Sequence, residues 1–434
     1  MRAPLLIAED AAALELRRWQ GPAAYPRTEM QLDRDRILYS SAFKRLAHVT
    51  QVTASETGLT FHSRLTHSLK VAQFARRLAE RLKARAYTGA AARVADALDV
   101  DAAEAAALAH DIGHPPFGHL AEQELDQLAA RFGGFEGNAQ SFRILTRLAL
   151  LSDDHVGLNL TRKTLNGILK YPWLRDDEDA AHYKKWNVYF NDRADFEWVR
   201  EPWEGQQRSI EAEVMDWADD VTYAVHDMDD FYRAGLVPLD RLCQRGRELD
   251  AFNKHLQAVG GERAEDLRVA AEHVFTELLT FEGPYAGTSK ERINLRVTGS
   301  NLIRRYIDAP SIETEDGGAV FVIDDQLRDE VDALKQLIWF YVIEHPTLGI
   351  LQRGQRHIIT SLFEIYHGAA LSGEWRLFPA LYTERLRTAS THDGKRRAVV
   401  DLISSMTEAG AAEVYRRLTG VVAASISDPT GRLV

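Results

Sequence analysis

A single cysteine, Cys243, stands among 434 residues, which excludes an internal disulfide framework and a cysteine-built zinc site. No stretch approaches the ~18 uninterrupted apolar residues of a membrane span. The apolar start Leu5-Leu6-Ile7-Ala8 runs into Glu9-Asp10 too soon for a signal-peptide core. A cytoplasmic protein with no membrane partner is expected. Positive charge is in deficit, with 53 Lys and Arg against 64 Asp and Glu and a net charge of −11. That balance argues against broad adhesion to nucleic acid or anionic lipid, so a polyanionic ligand must meet a local basic pocket. Thirteen prolines and 28 glycines are few for this length, and runs rich in Val, Ile and Thr are scarce. Ala, Leu, Arg and Glu abound instead, in a chain that is 45% hydrophobic. The expected fold is all-α, one large helical lobe with further helical layers added to it.

Helical periodicity supports that class along most of the chain. Ile37, Leu38, Ala42, Phe43 and Leu46 form an apolar stripe between Arg34 and Gln51. A second pattern runs from about Arg64 to Ala86, with His67 on the same side as Val71, Phe74, Ala75, Leu78 and Leu82. Asp101, followed by Glu104 and an alanine-rich run, reads as the N-cap of a tightly packed helix ending near His110. Gly113 and Pro115-Pro116 then stop or redirect the chain. A helix from Glu211 to Phe231 places Glu211, Met215, Asp219, Tyr223 and Asp227 along one face. Three acids interleaved with Met and Tyr suit a polar cavity better than a solvated surface. Residues 175–208 mix charges with aromatics such as Trp186, Tyr189, Phe190, Phe196, Trp198 and Trp203 and read as irregular or short-stranded. A Gly/Ser/Asp-containing break is expected near residues 310–320 of an otherwise helical C-terminal region.

His67, the dipeptide His110-Asp111 and the pair Asp219-Asp220 carry the chemistry. Two imidazoles and two carboxylates from three separate segments can close around one divalent ion and leave positions free for water and substrate. The mixed nitrogen and oxygen set suits Mn²⁺, Mg²⁺, Co²⁺, Fe²⁺ or Ni²⁺ in an open site better than a closed structural zinc. His119 and Glu122 lie three residues apart on the next helical stretch. A carboxylate bonded to one ring nitrogen fixes the tautomer and makes the other nitrogen a better base or, when protonated, a better acid. Taken alone, such a pair is commonly an exposed i, i+3 contact.

The order of three motifs goes further: Arg64-Leu65-Thr66-His67-Ser68, then His110 to His119, then Ala218-Asp219-Asp220. It resembles the HD-domain phosphohydrolases, and more closely the dNTP triphosphohydrolases of the deoxyguanosinetriphosphate triphosphohydrolase-like kind. Phe43 to Gln51, Gly134 to Ser141, Asn159-Leu160-Thr161, Lys170-Tyr171-Pro172-Trp173 and Asp216 to Asp227 extend the match over about residues 30–235. The resemblance implies His67, His110, Asp111 and Asp219 as metal ligands, preferring Asp219 to Asp220 and His67 to its neighbour His62. It implies His119 and Glu122 as the catalytic pair, with His114 and Glu136 in support. Arg64, Lys170 and Tyr171 are expected on the phosphates. Tyr223 is placed to exclude a 2′-hydroxyl, Asp227 to accept from the 3′-hydroxyl, and Gln51 to face the sugar. The implied reaction releases a deoxynucleoside and inorganic triphosphate from dGTP and other dNTPs.

The organisation expected is a helical N-terminal segment over 1–60 that contributes to the site, an HD core over 61–231, and a C-terminal helical region over 232–434 for substrate and oligomer contacts. Homo-oligomers, hexamers among them, and dNTP or single-stranded DNA effectors belong to the same expectation. Asp401 to Glu408 departs from the family's usual Asp-Tyr-Ile-Ala-Gly-Met-Thr-Asp, which leaves base preference open. Arg292, Arg296 and Lys395-Arg396-Arg397 read as solvated helix faces, with reach to a neighbouring subunit's nucleotide as the alternative. Two rival functions share the motifs, namely action on another nucleotide and a nucleotide or single-stranded DNA sensor without turnover.

Overall fold

A computed structural model describes residue 5 and residues 11–19, 26–51, 62–175, 184–203, 205–315, 318–343 and 346–421. The apolar start at 6–8, residues 52–60 of the N-terminal segment and residues 176–183 of the aromatic stretch lie outside the described residues. Among the described residues the fold is all-α apart from one antiparallel hairpin, Ser311–Glu315 with Gly318–Val322, at the break expected near 310–320. No helix of the described residues is long and apolar enough to cross a membrane.

Three helices frame the centre. Arg64–Lys83 starts on Ser63, whose hydroxyl accepts from the Thr66 amide, and it buries Val71, Phe74, Ala75, Leu78 and Leu82 at helical spacing. Val100–Ala109 is wholly buried from Ala105 to Ala109, because alanines combine high helix propensity with small bulk and let neighbouring helices approach. Its N-cap is Asp99 rather than Asp101: the Asp99 carboxylate accepts from the Ala102 amide at 2.8 Å. Asp101 and Glu104 instead each accept from Arg76 at 2.6 Å, so the apparent capping box serves an ion-pair cluster between helices. Ile210–Arg233 packs against both of these helices and starts on Ser209.

The long N-terminal stripe is broken at Ser40, which ends Glu29–Tyr39 and caps Ser41–Arg45. Within the stretch read as irregular, Arg193–Arg200 is a helix. It buries Val199 and packs Phe196 and Trp198, half-buried, against the main core. The main core runs through all these elements and reaches Val342. A second apolar core joins Gly118–Ala129 to four C-terminal helices, Pro346–Ser372, Ala380–Thr388, His392–Ser404 and Glu408–Leu418. Arg397 is buried there, donating to the Phe132 and Gly134 carbonyls with its guanidinium 4.0 Å from the Tyr189 ring centroid. It is neither a solvated face nor free to reach a neighbour's nucleotide.

Candidate active site

His110 terminates its helix, and the turn Asp111 to Pro116 that follows carries both residues inward. The His110 Nδ1 donates to the Ala107 carbonyl at 2.6 Å, which leaves Nε2 as the lone-pair nitrogen. That Nε2 is buried without a hydrogen-bond partner. It lies 3.5 Å from Asp111 Oδ1 and 3.5 Å from Asp219 Oδ1, while His67 Nε2 lies 3.0 Å from the same Asp219 oxygen. Lone pairs and anionic oxygens crowded in this way repel unless a cation or proton sits among them. The donor atoms of His67, His110 and Asp111 also lie within 4.8 Å of one another. The four side chains named from the sequence therefore converge, and their donor set fits a divalent cation.

The electrostatics agree. Burial opposes ionisation of Asp111, yet Arg64 and His110 hold it well below the usual carboxylate range. Asp219 is held low in the same sense, against burial, chiefly by His110. Burial would depress His110, but Asp111 and Asp219 outweigh it and raise the imidazole to about 9. Two anions thus draw a positive charge into this spot, and a divalent cation meets the same demand.

Beside this cluster, His119 Nδ1 lies 2.8 Å from Glu122 Oε2, and Glu122 Oε1 accepts the Gly137 amide at 2.7 Å. His119 is exposed, with 63% of its side-chain surface accessible, so its Nε2 is free to meet a ligand. His114 packs edge-on against His119, ring centroids 5.3 Å apart, and its Nδ1 is 3.0 Å from Asp111 Oδ1. Both oxygens of Glu136 are engaged at the start of the Gly137–Arg143 helix, accepting from the Asn138 and Ala139 amides and from the Asn138 side chain.

A cavity of about 840 Å³ joins these groups, of a size that accommodates a nucleotide. Gln51, Arg64, Lys170, Tyr171, Asp219 and Tyr223 are among its walls, and Gln51 Oε1 is buried without a partner. Arg64 is nearly fully buried and donates to Asp111 Oδ2 at 2.6 Å, so it orients a metal-ligand candidate as well as facing the cavity. Lys170 pairs with Asp216 and lies 3.8 Å from Asp219. Burial opposes its charge, but these carboxylates hold its pKa well above the ordinary value. Asp227 is buried, with Oδ2 unpartnered, and is not one of the cavity walls. Of the acidic stripe, Glu211 also turns away, accepting the Asp99 amide at 3.1 Å.

Several walls escaped the sequence reading. Lys335, Trp339, Gln352, Gln355 and Arg356 come from the C-terminal region, and Lys184 and Lys185 from the aromatic stretch. Lys335 reaches Asp220 at 2.9 Å. No local spacing marks these residues, because long-range packing alone brings them to the site.

Comparison with known proteins matches residues 64–224 to the HD domain and residues 321–417 to the phosphohydrolase-associated domain. The chain is similar to three proteins named deoxyguanosinetriphosphate triphosphohydrolase-like protein. That of Streptomyces coelicolor is 39% identical over 415 residues, covering 91% of this chain and 93% of the relative. That of Corynebacterium glutamicum is 35% identical, covering 88% and 89%. That of a Caulobacter species is 32% identical, covering 96% of each.

Proposed function

Since this chain belongs to the deoxyguanosinetriphosphate triphosphohydrolase-like family of HD-domain proteins, we propose that it hydrolyses dGTP and other dNTPs to deoxynucleoside and inorganic triphosphate. The observation that carries this reading is the convergence of His67, His110, Asp111 and Asp219 beside the His119–Glu122 pair, all but His67 among the walls of one lysine-lined cavity. Those four side chains hold the divalent cation, which supplies Lewis acidity to the phosphoryl oxygens when bound.

The remaining work falls to side chains. Lys170, Lys185 and Lys335 neutralise the triphosphate, with Tyr171 beside them. Glu122 fixes the proton of His119 on Nδ1, so that Nε2 manages proton transfer at the reacting centre. A water oxygen bonds to the α-phosphorus as the bond to the 5′ oxygen breaks, and that oxygen leaves with a proton. Arg64 holds Asp111 in place, and Tyr223 fills the space that a 2′-hydroxyl would need. The division into 1–60, 61–231 and 232–434 follows these roles, with the last part closing the cavity.

A panel of each dNTP alone and in pairs, with Mn²⁺ or Mg²⁺, tests the reading through product identity. Triphosphate and deoxynucleoside in equal amounts are expected. Free phosphate from dGMP, with no triphosphate from any dNTP, would assign the site to another nucleotide.

A further inference from the structure

The Met406–Glu408 turn, in which Glu408 stands where the family's usual pattern has Asp, touches the site from outside the HD segment. Glu408 opens the Glu408–Leu418 helix, where the helix dipole favours an anion, and its carboxylate faces the cavity. One oxygen accepts two backbone amides, Thr50 at 2.9 Å and Phe117 at 3.2 Å; the other accepts the Thr50 hydroxyl at 2.6 Å. Both anchored residues are placed next to candidate machinery. Thr50 precedes Gln51 and bridges Ser63, the cap of the helix carrying Arg64 and His67. Phe117 lies two residues before His119.

Phe117 has a φ of 69°, left-handed backbone that a bulky residue adopts only when its surroundings impose it. Gly118, at 60°, takes the same conformation without strain. Phe117 is the N-cap of the Gly118–Ala129 helix, yet its side chain caps nothing, so the corner must be held by something else. Its amide bond to Glu408 is such a hold. Arg45 fastens the same turn a second time, donating to the Ile112 and His114 carbonyls at 2.8 Å and to the Met406 carbonyl at 3.1 Å.

Resting on the function proposed above, we infer that Glu408 is a positioning residue: it holds the left-handed corner at Phe117 and the Thr50–Gln51 segment, and thereby sets His119 and Gln51 against the substrate. The hydrogen-bond pattern distinguishes its variants. Glu408→Gln keeps every contact, since its amide oxygen accepts the two backbone amides and its NH₂ donates to the Thr50 hydroxyl. Glu408→Ala loses all three. Displacing a catalytic group by a fraction of an ångström to an ångström lowers turnover by up to about 10²-fold.

In the full-length, Mn²⁺-loaded protein, E408A is expected to lose kcat on that scale with bound Mn²⁺ unchanged. E408Q is expected to stay near the parental rate. Phe117→Gly in the E408A background recovers part of the loss, because glycine accepts this φ unaided. E408A at the parental kcat, or E408Q as slow as E408A, overturns the inference. Should E408A not fold, Glu408→Ser, too short to reach Phe117, takes its place with the same expectations. Hydrogen exchange at the Phe117 amide, expected about tenfold faster or more in E408A, reads the contact without turnover. A wild-type protein inactive on dNTPs therefore overturns the proposed function alone, whereas unchanged exchange overturns the role of Glu408.

Discussion

Replacing Glu122 by Gln separates a fixed imidazole from one that is merely present. Glu122 Oε1 accepts the Gly137 amide at 2.7 Å, and Oε2 meets His119 Nδ1 at 2.8 Å. In E122Q the oxygen must stay on the Gly137 amide, so the new NH₂ turns toward Nδ1. A donor facing Nδ1 forces the His119 proton onto Nε2, the nitrogen the reaction needs free. Inverting a catalytic tautomer in this way lowers kcat by about 10²–10⁴-fold, while binding contacts survive. The fold should tolerate the change, since the Gly137 bond and the side-chain volume are retained. Triphosphate release from dGTP, followed by ion-exchange chromatography alongside metal analysis and nucleotide affinity, reads all three quantities. A folded, metal-loaded E122Q that turns over at the parental rate would refute the assignment of His119 and Glu122.

Lys335→Ala removes a cation facing the cavity but no group at the reacting centre, so KM for dNTPs should rise about tenfold with kcat little changed; steady-state kinetics decide. Tyr223→Ala should admit ribonucleotides, raising the rNTP-to-dNTP ratio of kcat/KM by about tenfold, measured by direct competition of GTP with dGTP. Asp401 is buried and accepts from Arg143 Nε and Nη2 at 3.0 Å, and from Gln140 at 3.0 Å, joining the second core to the HD segment. Asp401→Asn should cost about 3 kcal/mol in denaturant titration. Burial opposes ionisation of Asp401, but Arg143 keeps its pKa below the ordinary value. The wild-type advantage is therefore complete above about pH 4 and shrinks as acid protonates the folded state.

The site was legible in the sequence through its motifs taken together. His110-Asp111 before a glycine and two prolines, and His119 three residues ahead of Glu122, are each common patterns alone, and only the resemblance carried by the three motifs in order singled them out as candidates. His67 and Asp219 sit on long periodic helices, so their inward direction followed from their neighbours. The cap of the Val100–Ala109 helix was misplaced by two residues, because Asp99 and Asp101 both precede the alanine run. Only the tertiary demand of Arg76 for Asp101 and Glu104 separates them. Arg397 resembled surface charge for the same reason: nothing in Lys-Arg-Arg announces that one of the three stacks on Tyr189. Lys335, Gln352 and Arg356 were invisible as cavity walls, since they arrive through the packing of helices more than a hundred residues from the motifs.

Titration of the metal-free protein with Mn²⁺, following bound ion and triphosphate release together, tests most directly whether His67, His110, Asp111 and Asp219 hold a reactive cation. One ion per chain is expected, with turnover rising in step with occupancy and both abolished in His110→Ala and Asp219→Ala. Turnover independent of the ion, or full Mn²⁺ binding retained when both residues are replaced, would contradict the account.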